Sequence, residues 1–281
     1  MHILEHVILD TLKIMPFIFI VYLVIEYFEH RSNTAISHTL MKAGRLGSVY
    51  GAFLGSIPQC GFSVIASDLF SKGAITIGTL IAIFVATSDE AVPIILSYPD
   101  KAYIALIVIG IKIVIAVIFG SIIDAVYRKR KELNVCREHH HHEHFHGNCE
   151  SCEGGILRST LKHTLRIFLF VLIANLIFTA AVEAVGEDRL CAYLLKGSYL
   201  QPFAASLIGL IPNCAASVIL TESYISGVLS FGSLVAGLCS GAGVGVLLLF
   251  KRNKNTKQNF CILGILYAIG VISGIVIQFL E

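Results

Sequence analysis

The sequence predicts an all-α integral membrane protein built from two inverted-topology repeats, with about five transmembrane segments and broken helices in each. Three observations predict it: apolar runs of spanning length along the chain, an internal repeat at a shift of 154 residues, and basic residues that cluster in alternate homologous loops.

Of the 281 residues, 56% are hydrophobic and 14% charged, and the mean hydropathy is +0.79, which does not describe a water-soluble domain. Apolar runs at residues 7–28, 46–66, 74–98, 102–127, 164–185, 201–221, 227–250 and 259–280 each approach the roughly 20 residues needed to cross about 30 Å of hydrocarbon. Residues 1–13 lack a basic leading region and a small-residue cleavage site, so the first run reads as a retained span. A net charge of +2 with no basic, aromatic-interleaved domain gives nucleic-acid binding no support. Cys60, Cys214, Cys239 and Cys261 fall in apolar runs, and Cys136, Cys149 and Cys152 share one loop; all read as thiols.

The repeat aligns residues 55–96 with 209–250 without a gap. The identities include Gly55/Gly209, Pro58/Pro212, Cys60/Cys214, Ser63/Ser217, Gly73/Gly227 and Gly78/Gly232, residue types that fix backbone shape and polar contacts. At the same shift Gly110 matches Gly264 and Gly120 matches Gly274, so the unit runs to the end of each half. The chain divides into a first membrane repeat over 1–127, a His/Cys-rich linker over 128–162 and a second repeat over 163–281.

Orientation follows from charge. Arg31, Lys42 and Arg45 lie in 29–46, eight Lys and Arg lie in 128–166, and Lys251, Arg252, Lys254 and Lys257 lie in 251–258, fifteen of the 21 in all. The homologous loops at 97–101 and 184–200 are poor in excess positive charge. Placing the basic segments in the cytoplasm requires an odd number of crossings per unit, inverted halves, a cytoplasmic linker and both termini outside. We take five crossings per unit, treating residues 46–98 as three short or broken crossings; one crossing plus re-entrant pieces has the same parity.

Inverted-repeat transporters bind substrate near the midplane, where interrupted helices expose backbone groups. Ile57-Pro58-Gln59-Cys60 and Ile211-Pro212-Asn213-Cys214 each put a proline, an amide and a thiol inside an apolar run, with Ser63 and Ser217 one turn on. Either they bind substrate or they form a packing kink around a buried cysteine. The second interruption is asymmetric: Ser88, Asp89 and Glu90 stand where the other half has the glycine-rich stretch that includes Gly241 and Gly243. The carboxylates suit a divalent cation or a transported proton; the alternative is a solvated loop between short helices. Lys112 lies well inside the run 102–127 and is replaced by Leu266, so it either pairs with an acid or snorkels to an interface. Asp68 and Glu222 occupy equivalent positions and read as solvated residues of short connections.

The linker carries His139, His140, His141, His142, His144 and His146, then Cys149 and Cys152. Imidazole and thiolate suit zinc, nickel, cobalt and copper, and such a tract offers overlapping sites for a cytoplasmic metal collector, or is a solvated linker with incidental affinity. His142-Glu143-His144-Phe145-His146 also fits H-E-x-x-H, a pattern that a histidine tract creates by chance, which keeps a membrane metalloprotease as a remote alternative.

The stretches IPQCGFSVIASDLF, GTLIAIFVATSDEAVPI, IGLIPNCAASVILTESY and GSLVAGLCSGAGVGVLLLF resemble a bacterial and archaeal family of ten-transmembrane heavy-metal exporters, whose members are labelled arsenic efflux protein or manganese transporter. The resemblance spans both halves and excludes the linker. It implies a permease of the prokaryotic cytoplasmic membrane acting in efflux of a metal or metalloid, and it carries over Pro58, Gln59, Cys60, Ser88, Asp89, Glu90, Pro212, Asn213, Cys214 and Gly241. With no G-x-x-x-x-G-K-[ST] motif, transport is expected to be secondary. No enzymatic activity and no required cofactor are expected. The partners are the lipid bilayer and the transported ion, with homo-oligomerisation left open and a permease for a small organic solute or organoarsenical as the rival reading.

Overall fold

The computed structural model describes residues 46–57, 61–87, 91–135 and 200–280, together with positions 165, 169 and 173; side chains are described outside 128–135 and Cys214. Among these residues the regular structure is helical and falls in two matching series. The first comprises α1 (Gly47–Gly55), α2 (Gly61–Ser71), α3 (Ile77–Ala86), α4 (Ala91–Leu96) and, after a 3-10 turn at Pro99–Lys101, α5 (Ala102–Val135). The second comprises α6 (Gln201–Gly209), α7 (Cys214–Ile225), α8 (Phe231–Ser240), α9 (Val244–Arg252) and α10 (Thr256–Leu280). At a shift of 154 residues α1 and α6, and α3 and α8, coincide at both ends, and the other pairs start within one residue of register.

The same local chemistry makes both series. Thr76 and Ser230 cap α3 and α8, accepting from the backbone N–H of Thr79 at 3.1 Å and of Ser233 at 3.2 Å, an arrangement that stabilises a helix start by about 1 kcal/mol. α2 and α7 end at Gly73 and Gly227, with φ of 72° and 75°. There the N–H groups of Ala74 and Val228 close on the carbonyls of Leu69 and Ser223, each at 2.9 Å. An L side chain in that left-handed conformation costs about 1–2 kcal/mol, so glycine ends both helices.

Direction along the chain defines the architecture. Going from Gly47 through Gly51 to Gly55, α1 lies against Thr79, then Thr79 and Ile83, then Ile83 and Ala86. It therefore runs alongside α3 in the same sense, and α2 must bring the chain back to the Thr76 end. At 1.5 Å per residue, the nine residues of α1 reach only about 14 Å, roughly half the hydrocarbon thickness. α1 and α2 thus form a hairpin of two short helices. Residues 46–98 hold this hairpin followed by one interrupted helix of spanning length, a layout that agrees in parity with both sequence readings, three short or broken crossings or one crossing plus re-entrant pieces; hydropathy registers apolar length and carries no information on direction. α5 then returns beside both pieces: Ile104, Ala105 and Val108 share a cluster with Ala91, Val92 and Ile95, and Gly120 meets Gly78 and Ala82. In the second half Gly209 meets Gly237, and Gly274 meets Gly232 and Ala236.

The halves interlock reciprocally. α2 packs on α9, α7 packs on α4, and α3 and α8 meet at the centre. Leu80, Phe84, Val85, Val235, Cys239 and Leu266 belong to one buried cluster. By contrast Leu106 is 73% and Phe279 76% exposed. Apolar surface outside and close glycine contacts inside are what lipid demands, because van der Waals packing, and not exclusion of water, holds helices together there. By length and composition Ile77–Leu96, Pro99–Tyr127, Phe231–Arg252 and Thr256–Leu280 can each cross a membrane.

A Cβ at Gly120 would come within 2.9 Å of both the Ala82 Cβ and the Gly78 carbonyl, whereas one at Gly110 meets nothing within 4 Å. Gly120→Val should therefore cost about 1–3 kcal/mol or more and lower the midpoint of thermal unfolding in detergent, with Gly110→Val close to the native value. Equal midpoints for the two variants would contradict this packing.

Candidate functional site

A helix that stops inside a protein leaves carbonyls without intrahelical partners. α3 and α8 both stop at the centre, and each half supplies partners for its own end. The Thr87 hydroxyl donates to the Ile83 carbonyl at 2.7 Å, and the Ser240 hydroxyl donates to the carbonyls of Gly237 at 2.9 Å and Ser206 at 2.8 Å. Gly241, the C-cap of α8, closes on Gly237.

Between these two ends lies Lys112, from the first third of α5, with 0% of its surface exposed. Its ammonium donates to the Thr87 carbonyl at the end of α3 and to the Leu238 carbonyl in the last turn of α8, at 2.7 Å. It does not snorkel; of the two sequence alternatives, that one is corrected by its burial and by these bonds. The effective penalty for burying an ion is several kcal/mol. Here the negative ends of two helix dipoles, each equivalent to about half an elementary charge, offset part of it. Leu266, the equivalent residue in the second half, is also buried, so the symmetric frame holds an asymmetric charge. Cys239 of α8, a buried free thiol, lies within electrostatic reach of Lys112.

Among the other sequence candidates, Ser63 is buried in α2 against Gly245, and the neighbouring Ser67 donates to the Gly245 carbonyl at 2.7 Å. The Ser217 carbonyl accepts from Thr221 at 2.7 Å. Asn213, following the half-buried Pro212, caps α7 by accepting from the Ala215 N–H at 3.5 Å. Gly243 opens α9 with φ 51° and ψ −148°, a conformation essentially confined to glycine. Pro58, Gln59, Cys60, Ser88, Asp89, Glu90 and the Cys214 side chain lie outside the described residues, as do His139, His140, His141, His142, His144, His146, Cys149 and Cys152. Among the described residues no three His, Cys, Asp or Glu side chains come together as a metal cluster.

Asp68 departs from its reading as a solvated connection. It is an interior residue of α2, 4% exposed, and bonds Lys72 at 3.3 Å and, across the halves, Arg252 at 3.4 Å. At the repeat-related position Glu222 is exposed and accepts from the Tyr98 hydroxyl at 3.4 Å, while Lys101 donates to the Ile225 carbonyl at 2.9 Å. Two further polar residues were missed from sequence. Asp124 accepts from Thr76 at 2.8 Å and from the Gly78 N–H at 2.9 Å. Gln201 accepts from the Ser230 N–H at 3.0 Å and from the Ser233 hydroxyl at 3.2 Å. Each braces the start of a broken helix, and an isolated polar residue within an apolar run was the available signal.

The model of a family described as "Putative, 10TM heavy-metal exporter" matches residues 3–188 and 156–281. The chain belongs to this family. Nothing among the curated proteins and nothing among the solved structures matches it. As a member of the exporter family it is a multi-pass membrane protein, in keeping with the apolar helices of spanning length.

The Asp68–Arg252 pair joins groups from different halves in a partly shielded setting. A double-mutant cycle with Asp68→Asn and Arg252→Gln, read by thermal unfolding in detergent, should give a coupling energy of about 0.5–3 kcal/mol. Additive effects would show that the pair contributes nothing to the interlock.

Proposed function

We propose that this protein is a secondary-active exporter of a divalent transition metal across the cytoplasmic membrane of a prokaryote, working by alternating access of two inverted halves. The observation that carries it is the meeting of two helix breaks, one from each half, at the Lys112 ammonium. Substrate sites of inverted-repeat transporters are built at such breaks.

Inversion is supported by which ends adjoin. The first broken helix starts beside Thr76 and Asp124 and finishes beside Tyr98; the second starts beside Ser230 and finishes at Arg252. Asp68, on the helix that returns to the Thr76 side, bonds Arg252. Lys101, next to the Tyr98 end, bonds Ile225 near Ser230. Both contacts support broken helices that run in opposite senses. The end of α5 that leads to the basic linker and the Arg252 end that leads to the basic segment 251–258 then share one side, the cytoplasmic side by the positive-inside rule.

The reciprocal packing suggests a ligand set. Ala91, the residue after Glu90, shares a buried cluster with Ala216, two residues after Cys214. In the sequence two carboxylates directly precede α4 and a cysteine opens α7, and α4 and α7 pack together; that mixture suits zinc, cobalt, nickel or manganese better than the thiol-seeking trivalent arsenic. The metal and a proton occupy the site in turn. The Asp68–Arg252–Lys72 cluster closes the cytoplasmic side and the Tyr98–Glu222 contact the other, each breaking as its side opens. The histidine and cysteine tract from His139 to Cys152 gathers metal on the cytoplasmic side.

In cells lacking the native gene, Cys60→Ser, Cys214→Ser and Asp89→Asn should each fail to restore metal resistance and should leave cellular metal raised, reflecting metal affinity weakened at least ~10-fold. Unchanged resistance and metal content, measured by elemental analysis at equal expression, would refute the site. Export of a small organic solute with no effect on any metal would favour the rival permease reading.

A further inference from the structure

We propose that Lys112 is a tethered cation: its ammonium fills a cation-binding position formed by the carbonyl ends of α3 and α8, and removing the side chain leaves a site for a free alkali-metal ion. The inference stands on geometry and holds whether or not metal export is correct.

Three observations meet here. Lys112 is fully buried, so its charge is held by the protein and not by water. Two of its partners, Thr87 O and Leu238 O, are backbone carbonyls at the ends of different helices, one from each half. Those helices end where the axial dipoles concentrate negative potential, and half-helix C-termini with unwound carbonyls are the groups that coordinate sodium in broken-helix transporters. An ammonium, by donating hydrogen bonds, and a bare alkali ion, by direct coordination, are both attracted to such carbonyl dipoles, as carbonyl-lined cation filters illustrate for the ion. The repeat adds a control within the molecule: Leu266 occupies the equivalent place in the second half, so the cation is a property of this position and not of the repeat. Because the charge is covalently attached, the native protein needs no sodium here, and the two helix ends stay bridged whatever the ionic composition outside.

The experiment uses the full-length chain purified in detergent. Thermal unfolding of the native protein, Lys112→Ala and Lys112→Met is compared in lithium, sodium, potassium and choline chloride at equal ionic strength. The native midpoint should be the same in all four salts. Lys112→Ala should unfold several degrees lower in choline and recover saturably with at least one alkali cation, as a ligand that binds only the folded state requires. Lys112→Met, which fills the space without charge, should be destabilised and unresponsive. The proposal is overturned if Lys112→Ala responds to the salts no differently from the native protein, if it fails to fold in every salt, or if Lys112→Met matches native stability in choline.

Discussion

The structure depends on one constraint: a helix that ends at membrane depth must find hydrogen-bond partners for its last carbonyls inside the protein, because hydrocarbon offers none. Each half of this chain interrupts a spanning helix near its middle, after Ala86 and after Ser240. The Thr87 and Ser240 hydroxyls take up carbonyls within their own half. Lys112 does more, since it reaches from α5 of the first half to the end of α8 in the second. The ends of the two broken helices are thereby satisfied jointly, and the centre of either half is incomplete without the other.

That dependence explains the reciprocal packing. α2 lies on α9 and α7 lies on α4, so the hairpin of each half supports the second piece of the broken helix in the other. The contacts match in kind and differ in strength: Asp68 meets Arg252 as an ion pair, whereas Glu222 meets the neutral Tyr98. The frame is symmetric, and its two repeat-related contacts across the halves are unequal. Lys112 against Leu266 places a further asymmetry in the central layer, and in the sequence Asp89 and Glu90 stand against Gly243 and Val244. The shared residues shape the frame and the unshared ones give it charge.

Much of this was legible in the sequence. The repeat could be read because proline, glycine and cysteine fell in register, and the helix boundaries follow that register. The hairpin was allowed by the charge parity, as re-entrant pieces beside one crossing, but could not be told from short crossings, since an apolar run of a given length looks alike whether it crosses or turns back. Asp68 was misplaced because its partner Arg252 lies in the other half, and no local pattern links residues so far apart. Lys112 stood out as a charge within an apolar run, but its bonds to Thr87 and Leu238 use backbone carbonyls, which every residue carries and no motif marks. Asp124 and Gln201 escaped notice for a related reason: each braces the capping residue of another helix. The Pro58–Cys60 and Ser88–Glu90 motifs lie outside the described residues, so their part in the site rests on their immediate neighbours.

The central claim is that two halves meeting at broken helices move a metal ion without ATP. Uptake into inside-out membrane vesicles tests it most directly, with manganese, zinc, nickel, cobalt and arsenite compared with and without an imposed pH gradient. The account predicts gradient-dependent accumulation of at least one divalent metal, above that in vesicles lacking the protein and with no nucleotide added. Accumulation of none of these ions, or accumulation only when ATP is supplied, would contradict it.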